Sequence, residues 1–138
     1  MIIDESFIEG LTERAKKSDR LRMHYDLRDS EEDTSQRMLN AIEPGTVIPV
    51  HRHSNTSETV ACIKGRVCEI IYEERDGQLF EIYRCMMEPG GATPLIQVPK
   101  GAWHTCRSLE SGSVILEFKN HKYDTLHTEE LWENGLNG

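Results

Sequence analysis

The chain has 138 residues, a length that argues for one domain. Its 16 Lys and Arg face 24 Asp and Glu, giving a net charge of -8. That field repels a phosphate backbone, so nucleic acid is excluded as a partner. No apolar run approaches the roughly 20 residues of a membrane-spanning helix. The acidic start, Met1-Ile2-Ile3-Asp4-Glu5-Ser6, lacks the basic flank and apolar core of a signal peptide. The expectation is a cytoplasmic protein with no membrane partner. Cys62, Cys68, Cys85 and Cys106 form no C-x-x-C pair and read as reduced, buried thiols.

Residues 3–17 predict a short amphipathic helix. Ile3, Phe7, Ile8, Leu11 and Ala15 recur at helical spacing, and Glu9, Glu13, Arg14, Lys16 and Lys17 lie opposite. From Arg20 onward short apolar runs alternate with turns. Residues 21–27 and 38–42 read as strands, separated by a polar, acidic loop over 29–35. Further strands are expected over 46–53, 59–64, 66–73, 78–86, 95–98, 103–108 and 113–119. Asp76-Gly77 is a hairpin signal between two of them. Thr128, followed by Glu129 and Glu130, reads as a helical cap and predicts a short C-terminal helix over Thr128–Trp132. Many short strands with frequent turns define an all-β sandwich or barrel with peripheral helices.

The chemistry concentrates in Val50-His51-Arg52-His53. On a strand, positions i and i+2 share a face, so both imidazoles can reach one ion. Glu58 returns after a turn-like stretch, and His104 follows Pro99-Lys100-Gly101-Ala102-Trp103. Three imidazoles and a carboxylate suit one divalent ion (Zn, Fe, Mn or Ni) with positions left open. The complete spacing is G-x5-H-x-H-x4-E-x6-G from Gly45 to Gly65, then P-x-G-x2-H from Pro99 to His104.

This two-part pattern resembles the cupin superfamily, and the resemblance implies a jelly-roll barrel holding the metal. One cupin domain is then expected over 1–138: an N-terminal helix and leading strands (1–45), a metal-binding barrel core (46–119) and a tail (120–138). Ser108 stands where the family commonly has Asn, and Thr93 where it has Gly. The segments Arg20-Leu21-Arg22-Met23, 36–46 and 48–53, with Trp103-His104, Glu117-Phe118-Lys119 and Tyr123, look like the WbuC-type cupin-fold metalloproteins. Here His24 replaces a usual Asn, and His121-Lys122 a usual Gly-Pro. That family is associated with bacterial surface-polysaccharide gene clusters.

Arg20, Arg22, Arg37, Asn40 and Tyr123 are the candidate substrate-binding residues. Arginine can clamp a carboxylate or phosphate bidentately, although an edge-strand Arg also discourages aggregation. Glu117 and Lys119 share a face of a late strand and are either a catalytic acid/base pair or a cross-strand ion pair. Three functions stay open: an isomerase- or epimerase-like metalloenzyme on a sugar or nucleotide sugar, an Fe(II) dioxygenase, or a non-catalytic metal-dependent binder. The expected partners are a small, anionic, sugar-like ligand and a second copy of the chain. The dimer is expected because residues 1–45 carry more elements than a minimal barrel needs.

Overall fold

The computed structural model describes residues 1–131 and the backbone of residues 136 and 137. Helix α1 (Glu5–Lys17) is capped by Asp4, whose carboxylate accepts from the Phe7 amide at 2.9 Å. Its last turn carries Arg14, Lys16 and Lys17, which suits the negative helix end. Leu11 and Ala15 are buried against Leu39, Ala41 and Val114. The helix thus covers the outer face of a sheet.

That sheet has five strands in the order β1-β2-β9-β4-β7: β1 (Arg22–Asp26), β2 (Gln36–Ile42), β9 (Ser113–Lys119), β4 (Glu58–Lys64) and β7 (Leu95–Val98). The second has six, in the order β10-β3-β8-β5-β6-β11. Its members are β10 (Thr128–Leu131), β3 (Val50–His53), β8 (Trp103–Ser108), β5 (Val67–Arg75), β6 (Gln78–Met87) and β11 (Leu136–Asn137). All pairs are antiparallel except β11 with β6. The β5–β6 hairpin turns on Asp76 and Gly77 at φ 51° and 77°, the positive values a two-residue type I′ turn needs. Gly65 has φ 76°, and a Cβ there would run into Ser113. Only glycine fits that approach.

Ile42, Val60, Cys62 and Ile115 of one sheet meet Val67, Cys85, Met87 and Cys106 of the other to form the inter-sheet core. The four cysteines are buried and unbridged. Along β9, Ile115 belongs to this core, whereas Glu117 and Lys119 line a cavity. Core and cavity therefore occupy successive stretches of one inter-sheet space.

Three expectations need correction. The architecture is a two-sheet jelly-roll sandwich, not a closed barrel. No C-terminal helix forms over Thr128–Leu131: that segment pairs antiparallel with β3, Thr128 opposite His53 and Glu130 opposite His51. Pairing with the free side of β3 overrides the capping pattern, and Trp132 lies outside the described residues. The strand expected over 46–53 begins only at Val50, because Thr46 Oγ1 instead bonds the Leu21 and Glu43 carbonyls at 2.7 Å each. The leading strands β1 and β2 pair within the chain's own sheet.

Candidate metal centre

His51 and His53 project from β3, and His104 from β8 directly opposite His51. Glu58 enters from the other sheet at the first position of β4. The ring centroids of His51 and His104 are 4.2 Å apart, and those of His51 and His53 are 5.1 Å apart. One ligand atom from each of the four residues lies within 4.8 Å of the rest.

Each imidazole is oriented by its far nitrogen. His51 Nδ1 lies 2.9 Å from the Pro49 carbonyl and His104 Nδ1 lies 2.9 Å from the Ala102 carbonyl. A carbonyl only accepts, so both Nδ1 atoms carry the proton and Nε2 of a neutral ring keeps its lone pair for the centre. Thr128 Oγ1 sits 3.2 Å from His53 Nδ1. Such outer partners are how proteins aim metal ligands. His53 Nε2 is buried without a hydrogen-bond partner, although Glu58 Oε2 lies 3.3 Å away. An orphaned ring nitrogen facing a carboxylate and two more imidazoles fits a first-row divalent ion.

The electrostatics point the same way. Burial, and then the neighbouring His104 charge, push the His51 pKa down to about 3, so it stands neutral. Burial also opposes charge on His104, but the hydrogen bond and charge of Glu58, 3.2 Å away, outweigh it and hold His104 at about 9. For Glu58, burial works to raise the pKa, yet the contacts with His104 and His53 bring it well below the usual carboxylate value. Without metal, the protonated His104 and the ionised Glu58 therefore form a buried ion pair within the nest of donors.

The centre opens into a cavity of about 800 Å³, within the size range of small-molecule sites. Arg20, Arg22, Asn40, Glu117, Lys119 and Tyr123 all line it. Arg37 does not. Strand alternation sends Gln36, Met38 and Asn40 inward and Arg37 outward, where it binds the Ser35 and Leu27 carbonyls and Asp33. Its place as a candidate substrate ligand is therefore corrected to a brace for the acidic loop. Burial, followed by the Glu58 charge, lifts Glu117 to about 7. The exposed His24 stands at the rim.

Sequence reasoning missed Glu69, Gln36, Thr128 and Glu130. Glu69 is 2% exposed, lines the cavity and has its pKa raised well above the ordinary value by burial. A single acid within Val67-Cys68-Glu69-Ile70-Ile71 was the available signal, since an unpaired buried charge is costly. Gln36 accepts from the Tyr123 amide at 2.6 Å, which ties Tyr123 to the cavity. Thr128 and Glu130 reach the site only because β10 is a strand.

Two sheets in this arrangement, with the donor cluster between them, are the cupin fold. The solved structures agree. The chain is similar to a cupin-2 domain, Rru_A2000 from Rhodospirillum rubrum, at 17% identity and TM-score 0.59, covering 83% of this chain and 68% of that one. It is similar to oxalate oxidase in complex with glycolate at 15% identity and TM-score 0.64, covering 84% and 58%. It is also similar to the capsular polysaccharide assembling protein CapF of Staphylococcus aureus at 20% identity and TM-score 0.64, covering 83% of this chain and only 32% of CapF. The chain belongs to the family described as Domain of unknown function (DUF6016), which matches residues 3–84. That match contains His51, His53 and Glu58; His104 lies beyond it. No curated protein matches the chain.

Proposed function

We propose that this chain is a metal-dependent enzyme that isomerises or epimerises a sugar or nucleotide sugar by proton transfer at a carbon beside a carbonyl. The observation that carries the proposal is the placement of the Glu117 carboxyl on the wall of the cavity into which the donor cluster opens. Burial, the largest cause of its raised pKa, eases protonation of that carboxyl, which suits a group that takes and returns protons. His51, His53, Glu58 and His104 would hold the ion, which supplies a Lewis acid to a ligand oxygen. Glu117 receives the carbon-bound proton as carboxylate and returns it as carboxylic acid, while the electron pair stays on the substrate. Lys119, its neighbour two residues on along β9, favours the ionised form of Glu117. The resemblance to WbuC-type proteins and the likeness to CapF support sugars of bacterial surface polysaccharides as the substrate class.

The test is hydrogen exchange. Metal-loaded protein is incubated in D2O with a panel of keto sugars, uronates and nucleotide sugars, and carbon-bound deuterium is followed by NMR. The expected result is deuterium in one class, lost in Glu117→Gln with metal content unchanged. A metal-loaded protein that binds such a ligand and exchanges nothing is a binder, and the enzyme reading fails.

A further inference from the structure

We infer that Arg22 and Asn40 form a recognition pair for a small hydroxylated oxyanion, its anionic group at the Arg22 guanidinium and one of its hydroxyls donating to Asn40 Oδ1. The inference deepens the reading of the metal-dependent site and rests on it for the other end of the ligand.

Among the described residues, the buried side-chain nitrogens and oxygens with no partner are Arg22 Nε, Asn40 Oδ1 and His53 Nε2. All three belong to residues lining the one cavity. Folded proteins leave few such atoms, because a buried polar atom without a partner has lost its water and gained nothing in return. His53 Nε2 is accounted for by the donor cluster. The other two are a donor that lacks an acceptor and an acceptor that lacks a donor. An oxyanion satisfies the first and a hydroxyl the second.

Charge supports the same occupant. Arg28, Arg37, Arg52, Lys64, Arg66, Arg75 and Arg84 each pair with a carboxylate. The cations that line the cavity, Arg20, Arg22 and Lys119, have no ion pair among the described residues. Lys119 Nζ instead lies 6.0 Å from the Tyr123 ring. Arg14, Lys17, Lys100 and Arg107 also stand without an ion pair among the described residues, so what distinguishes the cavity is that three such cations converge on one space. Burial, and then the Arg20 charge, work against the charged form of Arg22 and outweigh the smaller opposite effects of Cys106, Glu130 and Glu117. An anion beside the two guanidiniums offsets that repulsion, and a guanidinium fork grips a carboxylate or phosphate in two parallel bonds.

The register sets the reach. Arg22 pairs with Ile42 and Asn40 with His24, so Arg22 and Asn40 are diagonal neighbours on the cavity face, about 7–8 Å apart at the backbone. On β9, Ile115 lies opposite Asn40 and Glu117 opposite Met38. The same sheet face therefore carries the pair and, one step along the strands, the proton-carrying carboxyl. A ligand of sugar size spans that distance. A neutral sugar would leave the guanidinium unmatched.

Isothermal titration of the zinc-loaded full chain with gluconate, ribose 5-phosphate and glucose tests the inference, with the first two separating a carboxylate from a phosphate. The expected result is binding of at least one anion, at least tenfold tighter than glucose. Arg22→Met weakens that anion at least tenfold, and Asn40→Ala weakens gluconate more than it weakens butanoate, which has no hydroxyl. Zinc content and circular dichroism are measured on each variant and should match the wild type. Binding of neither anion, equal binding of glucose, or an unchanged affinity in folded Arg22→Met overturns the inference. The metal reading fails separately: zinc is then absent from the wild type, and the Arg22 comparison is made on the metal-free chain.

Discussion

The two faces of the five-stranded sheet divide the labour of the molecule. On the outer face, Leu39, Ala41 and Val114 pack under Leu11 and Ala15 of α1. On the inner face, the same β2 and β9 present Met38, Asn40, Glu117 and Lys119 to the cavity. Strand alternation makes the division residue by residue: Leu39 is 2% exposed under the helix, while its neighbour Asn40 holds an unpartnered buried oxygen. Burial of apolar area stabilises the first face. The second carries polar groups at a cost, which only a ligand or ion offsets. Stability and chemistry should therefore respond to different substitutions one residue apart.

The largest expected effect is on the apolar face. Leu39→Ala removes a buried side chain and should cost about 2–5 kcal/mol by urea denaturation, with metal bound per folded chain unchanged. A loss of metal at equal folded fraction would break the separation of the faces. Removing the ion comes next. At zinc 100-fold above Kd, bound metal adds about 2.7 kcal/mol to stability, so chelation should lower the wild-type Tm. Leu39→Ala should show the same drop, and His51→Ala none.

Glu117 sharpens the comparison through pH. Its carboxyl titrates near 7 in the metal-free fold against 4.5 in an unperturbed chain. Between those values the native state binds more protons than the unfolded one, so stability falls as pH rises from about 4.5 to about 7 and levels off above. Metal-stripped Glu117→Gln should therefore melt above the wild type at pH 8 and match it near pH 4. A variant that melts lower at pH 8 would mean Glu117 is held by a partner rather than exposed to the cavity. Asp4→Ala should have the smallest effect, about 1 kcal/mol from the lost helix cap, with no change in metal or ligand binding.

The donor residues were legible because their signal is local: His51 and His53 sit two apart on a strand, and Glu58 and His104 stand at strand starts just past turns. Sequence reasoning groups Arg37 with Asn40 as candidate ligands, although strand alternation along β2 sends the two to opposite faces. What lay beyond reach depended on partners distant in sequence. The strand character of Thr128–Leu131 comes from β3, some 75 residues away, and no capping pattern reports it. Glu69 sat in an apolar run whose inward face is defined only when β8 and β6 flank it. The unpaired edges among the described residues, β1 and β7 of one sheet and β10 and β11 of the other, which keep the sandwich from closing, are likewise a property of whole sheets.

Metal content measured by mass spectrometry on chain purified without added metal tests the central claim most directly. The account predicts close to one first-row divalent ion per wild-type chain. It predicts near none in His104→Ala that keeps the wild-type circular dichroism, since one imidazole of the nest is gone. A wild-type chain that stays free of metal even after dialysis against zinc, iron, manganese and nickel would contradict it. So would a folded His104→Ala that retains a full equivalent.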